Sequence, residues 1–449
     1  MNILLYTEVA PRELDSKLLI AVVAASRGHT AVVSDKRTLF FAIKSNLFRG
    51  AIFHTKSVTP DSRKIREHRA ILDKGLFVTS QDEEAGLQNH GFESFAKMRF
   101  AAESIGQLSA LFCWGPEDFE TLVGLYPQYR NRIHLVGSPR ADMWGRPFAR
   151  AATTPGRFGL EGYLLVSSNF GIGFKPIEDV FREYFDSGYV ARNPMALEER
   201  FAIFRDKFKL SWKFIEALRD LSRRLPALQI VFRPHPTERI SLWQMFLQDL
   251  PNVHVIREGA SSDWIHHSKA LVHNGCTTAF EAFLAGKPVI SFEPFERDYG
   301  SVANQLGVRT RTVEELATTL QNLEDGGGLT SPVARETAET LVKRKIFTSE
   351  ESLAAERIVD VWEGVAGQHG NRAFPFRRFR WLTARNRWRN NLRRLLRRAP
   401  KQKKDEKFPP QDFEMIVEKV RAIETVLGLE KGVTVRSMHD RCFVVSPRK

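Results

Sequence analysis

Val272-His-Asn-Gly-Cys-Thr-Thr-Ala-Phe-Glu-Ala-Phe-Leu-Ala-Gly-Lys-Pro-Val-Ile290 is the stretch from which the fold of this chain is read. An apolar run ends at His273, Gly275 marks a turn, a helical pattern starts near Thr277, and Gly286-Lys-Pro288 returns the chain to a second apolar run. Strand, turn, helix and strand in that order form the repeating unit of a parallel sheet. The first backbone N–H groups of such a helix are unpaired and its dipole is positive there, so the turn suits a phosphate. Thr277 and Thr278 would add hydroxyl donors, and Glu281, one turn on, could accept from ribose hydroxyls. A Thr-capped, Gly-stopped helix in any α/β protein has the same pattern, so spacing alone leaves both readings open.

Working outward, the same alternation runs through most of the chain. Apolar runs at Tyr163–Ser167, Leu228–Phe232, Val253–Ile256, Ala270–His273 and Pro288–Phe292 make a second series of strands, interrupted by a long helical insertion near 177–224. A first series occupies Ile3–Glu8, Thr30–Ser34, Gly50–His54, Leu76–Ser80, Leu111–Trp114 and Ile133–Gly137, with helical stretches such as Asp15–Arg27 between. The expected fold is α/β, with two Rossmann-like doubly wound domains facing a central cleft, plus a basic C-terminal extension. The expected divisions are 1–150 (acceptor side), 151–368 (nucleotide-sugar side), 369–410 (basic linker) and 411–449 (a small helix–strand element).

Phe232-Arg-Pro-His-Pro236 stands at the end of one strand of the second series. Its prolines fix the backbone around one imidazole, so Arg233 or His235 could meet a phosphate leaving group. In the first series, Asp82, Glu83 and Glu84 follow a strand, where they either cap a helix or, by mutual repulsion, supply a general base. Glu8, Arg12 and Lys17 sit at the end of the first strand, as a loop salt bridge or as contacts to an acidic acceptor.

The 272–290 stretch resembles the donor-nucleotide segment of GT-B glycosyltransferases. Arg-Pro-His-Pro is similar to the His-Pro motif of bacterial sialyl- and Kdo-transferases and to that of polyol-phosphate polymerases. The acidic run resembles the acidic-acidic-Gly motif of those transferases, except that Ala85 intervenes before Gly86. With Gly137-Ser-Pro-Arg-Ala-Asp142, these motifs make residues 1–365 similar to a bacterial surface-carbohydrate (surface polysaccharide) biosynthesis family. The resemblance implies nucleotide binding by Arg233, His235, Asn274, Gly275, Thr277, Thr278 and Glu281. It implies catalysis by His235 and an acid of Asp82–Glu84, Glu83 first, with Glu8, Arg12 and Lys17 on the acceptor. No metal and no cofactor beyond the donor substrate is expected.

Charge separates the tail from this body. Between Arg372 and Lys407 lie eleven Arg and four Lys against Asp405 and Glu406, thirteen of the net +14. A helix through Trp381–Arg398 would gather Trp381, Trp388, Leu392, Leu395 and Leu396 near one face among arginines, which describes an interfacial helix on an anionic membrane. Nucleic acid would need only the charge and is not expected. Three scattered cysteines, no bilayer-length apolar run and no signal-peptide pattern at the start point to a cytoplasmic protein, peripheral on the inner face of the membrane through 374–407.

The resemblance to GT-B sialyl- and Kdo-transferases implies transfer of a sugar, an acidic one such as Kdo or a sialic-acid-like sugar, from a CMP-sugar to a glycan or lipid-linked acceptor in capsule or lipopolysaccharide assembly. The alternatives are CDP-polyol phosphotransfer, a UDP-sugar transferase or epimerase, and a non-catalytic nucleotide-binding partner in a glycan assembly complex.

Overall fold

β1 (Asn2–Tyr6) is buried along its whole length and has a parallel neighbour on each side, β2 (Thr30–Ser34) and β3 (Ile52–Thr55). From β3 the sheet continues in parallel through β4 (Phe77–Gln81), β5 (Ala110–Cys113) and β6 (Ile133–Leu135). Strands covered on both faces read as unbroken apolar runs, and for this reason they were visible in the sequence. Helix α1 (Ala10–Ser26) is buried on nearly every side: Leu18, Leu19, Ala21, Val22 and Ala24 are all inaccessible. α2 (Lys36–Lys44) follows β2 and is capped by Asp35, whose carboxylate accepts from the Thr38 N–H at 2.9 Å.

The computed structural model describes residues 1–87, 91–186, 195–295, 301–327, 332–367, 373–397, 407–429 and 432–448. It separates into two units, Met1–Thr153 with Thr340–Lys449, and Thr154–Glu339. The second unit holds an all-parallel sheet of β7 (Tyr163–Ser167), β8 (Ile230–Arg233), β9 (Val253–Val255), β10 (Ser268–His273), β11 (Val289–Phe292) and β12 (Val308–Thr310), in the order β12-β11-β10-β7-β8-β9. Its core joins Leu164, Val166, Phe232, Val272 and Ile290 of the strands to Phe214, Leu218 and Trp243 of the covering helices. β12 was missed in the sequence because it is a three-residue edge strand with an exposed arginine at its centre.

The expected boundary at 368 differs from the structure. Helix Ala354–Ala366 follows the second unit in sequence but buries Ile358, Val359 and Trp362 in the first unit's core. Trp362 also donates its indole N–H to the Thr79 hydroxyl at 3.0 Å. Residues 411–449 are likewise no separate element. β13 (Val433–His439) and β14 (Cys442–Pro447) form a hairpin, and β14 pairs antiparallel with β2 from Cys442 opposite Ser34 to Val445 opposite Ala31. The first sheet thus reads β13-β14-β2-β1-β3-β4-β5-β6. Phe443 and Val445 enter the same core as α1, together with Ile416, Val420 and Ile423 of helix Phe413–Val426.

The basic segment forms helix Phe376–Arg397, and it is docked. Phe374 and Phe379 pack on Phe48 with ring centroids 5.6 and 5.4 Å apart, and the Arg436 guanidinium lies 4.6 Å from the Phe376 ring. The inward face is therefore Phe379 and Thr383, both buried, while Trp381 and Trp388 stand 60% and 65% exposed. The side chains of Leu392, Leu395 and Leu396 and all of 398–406 lie outside the described residues.

Candidate functional site

In a doubly wound sheet the chain starts at a central strand, builds outward, then returns to the other side of its starting strand. The loops leaving the carboxyl ends at that reversal diverge and open a crevice for ligand. In the second unit the reversal falls between β7 and β10. The loops leaving β7, β8 and β10 hold Ser168–Gly171, Pro234–Glu238 and Asn274–Thr277 respectively. All seven residues expected on the donor side lie on these loops or on β8 and the helix that follows β10.

The loops are tied together. The Asn169 side-chain amide donates to the Gly275 carbonyl at 3.0 Å, directly across the reversal. Gly275 has φ +62°, a conformation that favours glycine, and its N–H donates to Asn304 Oδ1 at 2.7 Å. Asn274 is spent on structure, its amide donating to the Phe292 carbonyl at 2.7 Å. Ser168 holds the His-Pro loop: its hydroxyl accepts the His235 N–H at 2.8 Å and donates to Glu238 at 2.6 Å. Glu238 is buried and also accepts from the N–H groups of Phe170 and Gly171 and from the Trp243 indole.

The reactive groups follow from this frame. The Thr237 N–H donates to His235 Nδ1 at 3.3 Å, which assigns the ring proton to Nε2 in the neutral tautomer. Thr277 is exposed at the start of helix Thr278–Leu284, and its side chain makes no capping bond. The Thr278 hydroxyl is buried with no hydrogen-bond partner among the described residues. Glu281 is buried, one carboxylate oxygen accepting from Ser261 at 2.7 Å. Arg233 is turned to other work. It donates to the carbonyls of Glu258 and Gly259 at 2.8 and 2.9 Å and lies 5.3 Å from the Trp264 ring. Burial lowers its pKa to about 10. It positions the loop 257–259 with three of its five N–H groups.

In the first unit the reversal falls between β1 and β3, and a charged cluster fills it. Lys56, after β3, pairs with Glu8, after β1, at 2.8 Å. Glu13 accepts the Glu8 N–H at 2.7 Å and the Arg12 guanidinium at 3.2 Å. Lys17 reaches Glu83 at 2.7 Å, both side chains almost wholly buried. The three carboxylates are offset by cations, Asp82 and Glu84 sharing Arg99, although Glu84 still pushes the Asp82 pKa upward. Asp82 takes a two-pronged grip from Arg99, Glu83 takes Lys17 with Arg140 4.0 Å away, and Glu84 lies between Arg12 and Arg99 at 3.8 and 3.4 Å. Burial alone would raise the Glu83 pKa; Lys17 and Arg140 outweigh it and hold the carboxyl below its usual range. Asp82 is raised by burial, which Arg99 only partly offsets. Glu84, 45% exposed, is the acid of the three with open access.

Sequence reading missed Lys56, Ser168, Asn169 and Glu238. Each lies within a few residues of an apolar run's end, the one signal that pointed to them. Asp142, noted in the Gly137–Asp142 loop, caps helix Ala354–Ala366, accepting the N–H groups of Ala354 and Ala355 at 3.1 and 3.0 Å. Among the described residues no group of His, Cys, Asp or Glu is arranged to hold a metal ion.

No protein-family model matches this sequence, and no curated protein does. Among solved structures, the chain is similar to a putative UDP-N-acetylglucosamine 2-epimerase from Listeria monocytogenes at 12% identity and TM-score 0.48, over 82% of this chain and 97% of that one. It is also similar to the UDP-GlcNAc 2-epimerase of Methanocaldococcus jannaschii, at 12% identity and TM-score 0.48 over 81% and 99%. A third likeness is to the wall teichoic acid polymerase TagF, at 11% identity and TM-score 0.47 over 82% and 89%.

Proposed function

We propose that this chain is a glycosyltransferase of the GT-B kind, taking its sugar from a nucleotide donor, a CMP-sugar by its motifs, and passing it to a glycan or lipid-linked acceptor. The observation that carries this reading is the pair of bonds from neighbouring residues of one loop, Asn169 to Gly275 and Ser168 to His235, which hold the Gly275–Thr278 turn and the His235 loop to the crevice of the second sheet. There the donor phosphate meets the His235 Nε2–H and the Thr277 hydroxyl, and the ribose lies near Glu281.

In the reaction a carboxylate, by the motifs one of Asp82–Glu84, takes the proton of the acceptor hydroxyl. The acceptor oxygen bonds to the anomeric carbon, and the bond from that carbon to the phosphate oxygen breaks. The nucleotide leaves with the bonding electrons, its charge met by the donors just named. Access favours Glu84 as the base, with the ionised Glu83 fixing Lys17 and Arg140 behind it. The exposed Trp381 and Trp388, among Arg377, Arg378, Arg385 and Arg389, support a second part of the reading: the docked helix rests on an anionic membrane surface.

The test is binding of CMP, CDP, UDP and GDP to the purified protein, wild type against His235→Ala. CMP binding that the variant weakens tenfold or more supports the CMP-sugar reading. Selective CDP binding points instead to polyol-phosphate transfer, which the Arg-Pro-His-Pro motif also fits. UDP binding points to a UDP-sugar transferase or epimerase. Absence of binding by all four sinks the enzyme reading.

A further inference from the structure

A cavity of about 310 Å³ opens at the carboxyl ends of β1 and β2, and the C-terminal extension supplies part of its wall. Lys36 and Arg37 come from the first turn of α2, whereas Lys407 and Arg441 come from the extension. The two acids in the lining are already engaged. Glu8 is bound by Lys407 at 2.7 Å and Lys56 at 2.8 Å, and Asp35 caps α2 through Thr38. Lys36 is engaged as well, by Glu67, and Lys407 by Glu8, so four cations against two carboxylates leave the lining net positive through Arg37 and Arg441. Tyr6, Phe40 and Phe408 make the remaining wall apolar and aromatic.

The extension's share is held firmly. Phe408 is buried in the first unit's core. The Arg441 carbonyl accepts from the Ser34 hydroxyl at 2.9 Å, and the Gln411 N–H donates to the Asp440 carbonyl at 2.8 Å. A wall so fixed is preorganised, which favours binding because little ordering remains to be done. Guanidinium and ammonium groups converging on a small space select a phosphate, and aromatic walls select an apolar body attached to it. Beyond the other end of α2, a second groove is lined by Leu47, Trp381 and Leu382, the outer side of the docked basic helix.

We propose that this cavity binds the phosphate head of an amphiphile, of the isoprenoid-phosphate class, and that Lys407, Phe408 and Arg441 complete the site. As an acceptor site it rests on the transferase reading; as a binding site it can be measured independently of it.

Farnesyl phosphate below its micellar concentration is the probe, titrated into the full chain by calorimetry beside farnesol, inorganic phosphate and CMP. Farnesyl phosphate should bind at least tenfold more tightly than farnesol or inorganic phosphate. Arg37→Gln/Arg441→Gln should weaken it at least tenfold while leaving CMP binding unchanged. Lys36→Gln serves in the same role should the double variant lose its cooperative melt. Unchanged farnesyl phosphate binding in these variants overturns the proposal. So does farnesol binding as tight as the phosphate, which would make the cations irrelevant, or inorganic phosphate binding as tight, which would make it a free-anion site. Loss of CMP binding to wild type with farnesyl phosphate retained would strike the transferase reading and leave this site standing.

Discussion

Lys17 and Glu83 meet at 2.7 Å with 2% and 4% of their side chains exposed, joining α1 to the loop after β4 inside the first unit. Removing one member strands the other charge where water does not reach. Lys17→Met or Glu83→Leu should each lower unfolding stability by about 3–5 kcal/mol. The double variant Lys17→Met/Glu83→Leu should recover a good part of that loss. Urea titrations of all three check it, and strictly additive losses would mean that the pair is not coupled.

Glu8 gives the pH dependence a sign. Its pKa is lowered from 4.5 to about 2: burial pushes it up, and hydrogen bonds from Lys407 and Lys56 outweigh burial. A carboxyl depressed in the folded state contributes stability that is complete above its unfolded pKa and fades as pH falls toward the folded one. Between pH 4.5 and about 2, wild type should therefore lose stability more steeply than Glu8→Gln. Denaturant midpoints at half-unit pH steps give the comparison. Parallel curves would show that the two lysines do not hold the carboxylate.

Gly275→Ala puts a side chain on a backbone at φ +62° and a Cβ 3.1 Å from the Ser301 Cβ. The strain should lower stability by roughly 1–2 kcal/mol. The turn should also leave the Asn169 and Asn304 bonds, weakening nucleotide binding tenfold or more. Ser168→Ala should spare stability to within about 1–2 kcal/mol yet weaken the same binding, since the seat of His235 is lost together with the bond to Glu238. Binding isotherms paired with thermal melts separate the two. A Ser168→Ala protein with wild-type nucleotide affinity would take the His-Pro loop out of the site.

Membrane contact is tested without deleting the basic helix, because Phe374 and Phe379 help close the first unit over Phe48. Trp381→Ser/Trp388→Ser leaves that packing alone. Sedimentation with phosphatidylglycerol vesicles should fall several-fold in this variant and fall further with added salt as the arginine attraction is screened. Binding that ignores both changes would exclude the helix as the contact.

Much of this architecture was legible because a buried parallel strand is an apolar run with a polar loop at its carboxyl end. The pairing of Asn169 with Gly275, or of Lys56 with Glu8, was not, since sheet order decides which loop ends meet and local pattern does not encode order. Nor could the motif Arg-Pro-His-Pro show that Arg233 also holds the carbonyls of 257–259, which are distant in sequence. Trp362 was read with its sequence neighbours and packs instead against Thr79. The β14 pairing was hidden for a similar reason, as nothing in Cys442–Val445 names β2 as its partner.

That pairing bears on synthesis. Ser34 and Arg441, bonded at the junction of β2 and β14, are 407 residues apart. At ~5–20 residues per second, β2 waits roughly 20–80 s for its neighbour to leave the ribosome. The whole of Thr154–Glu339 is made in the interval, so the second unit can finish folding while the first still has an open apolar edge. A ribosome that stalls late in the message would release a chain whose C-terminal sheet is complete and whose N-terminal sheet is not.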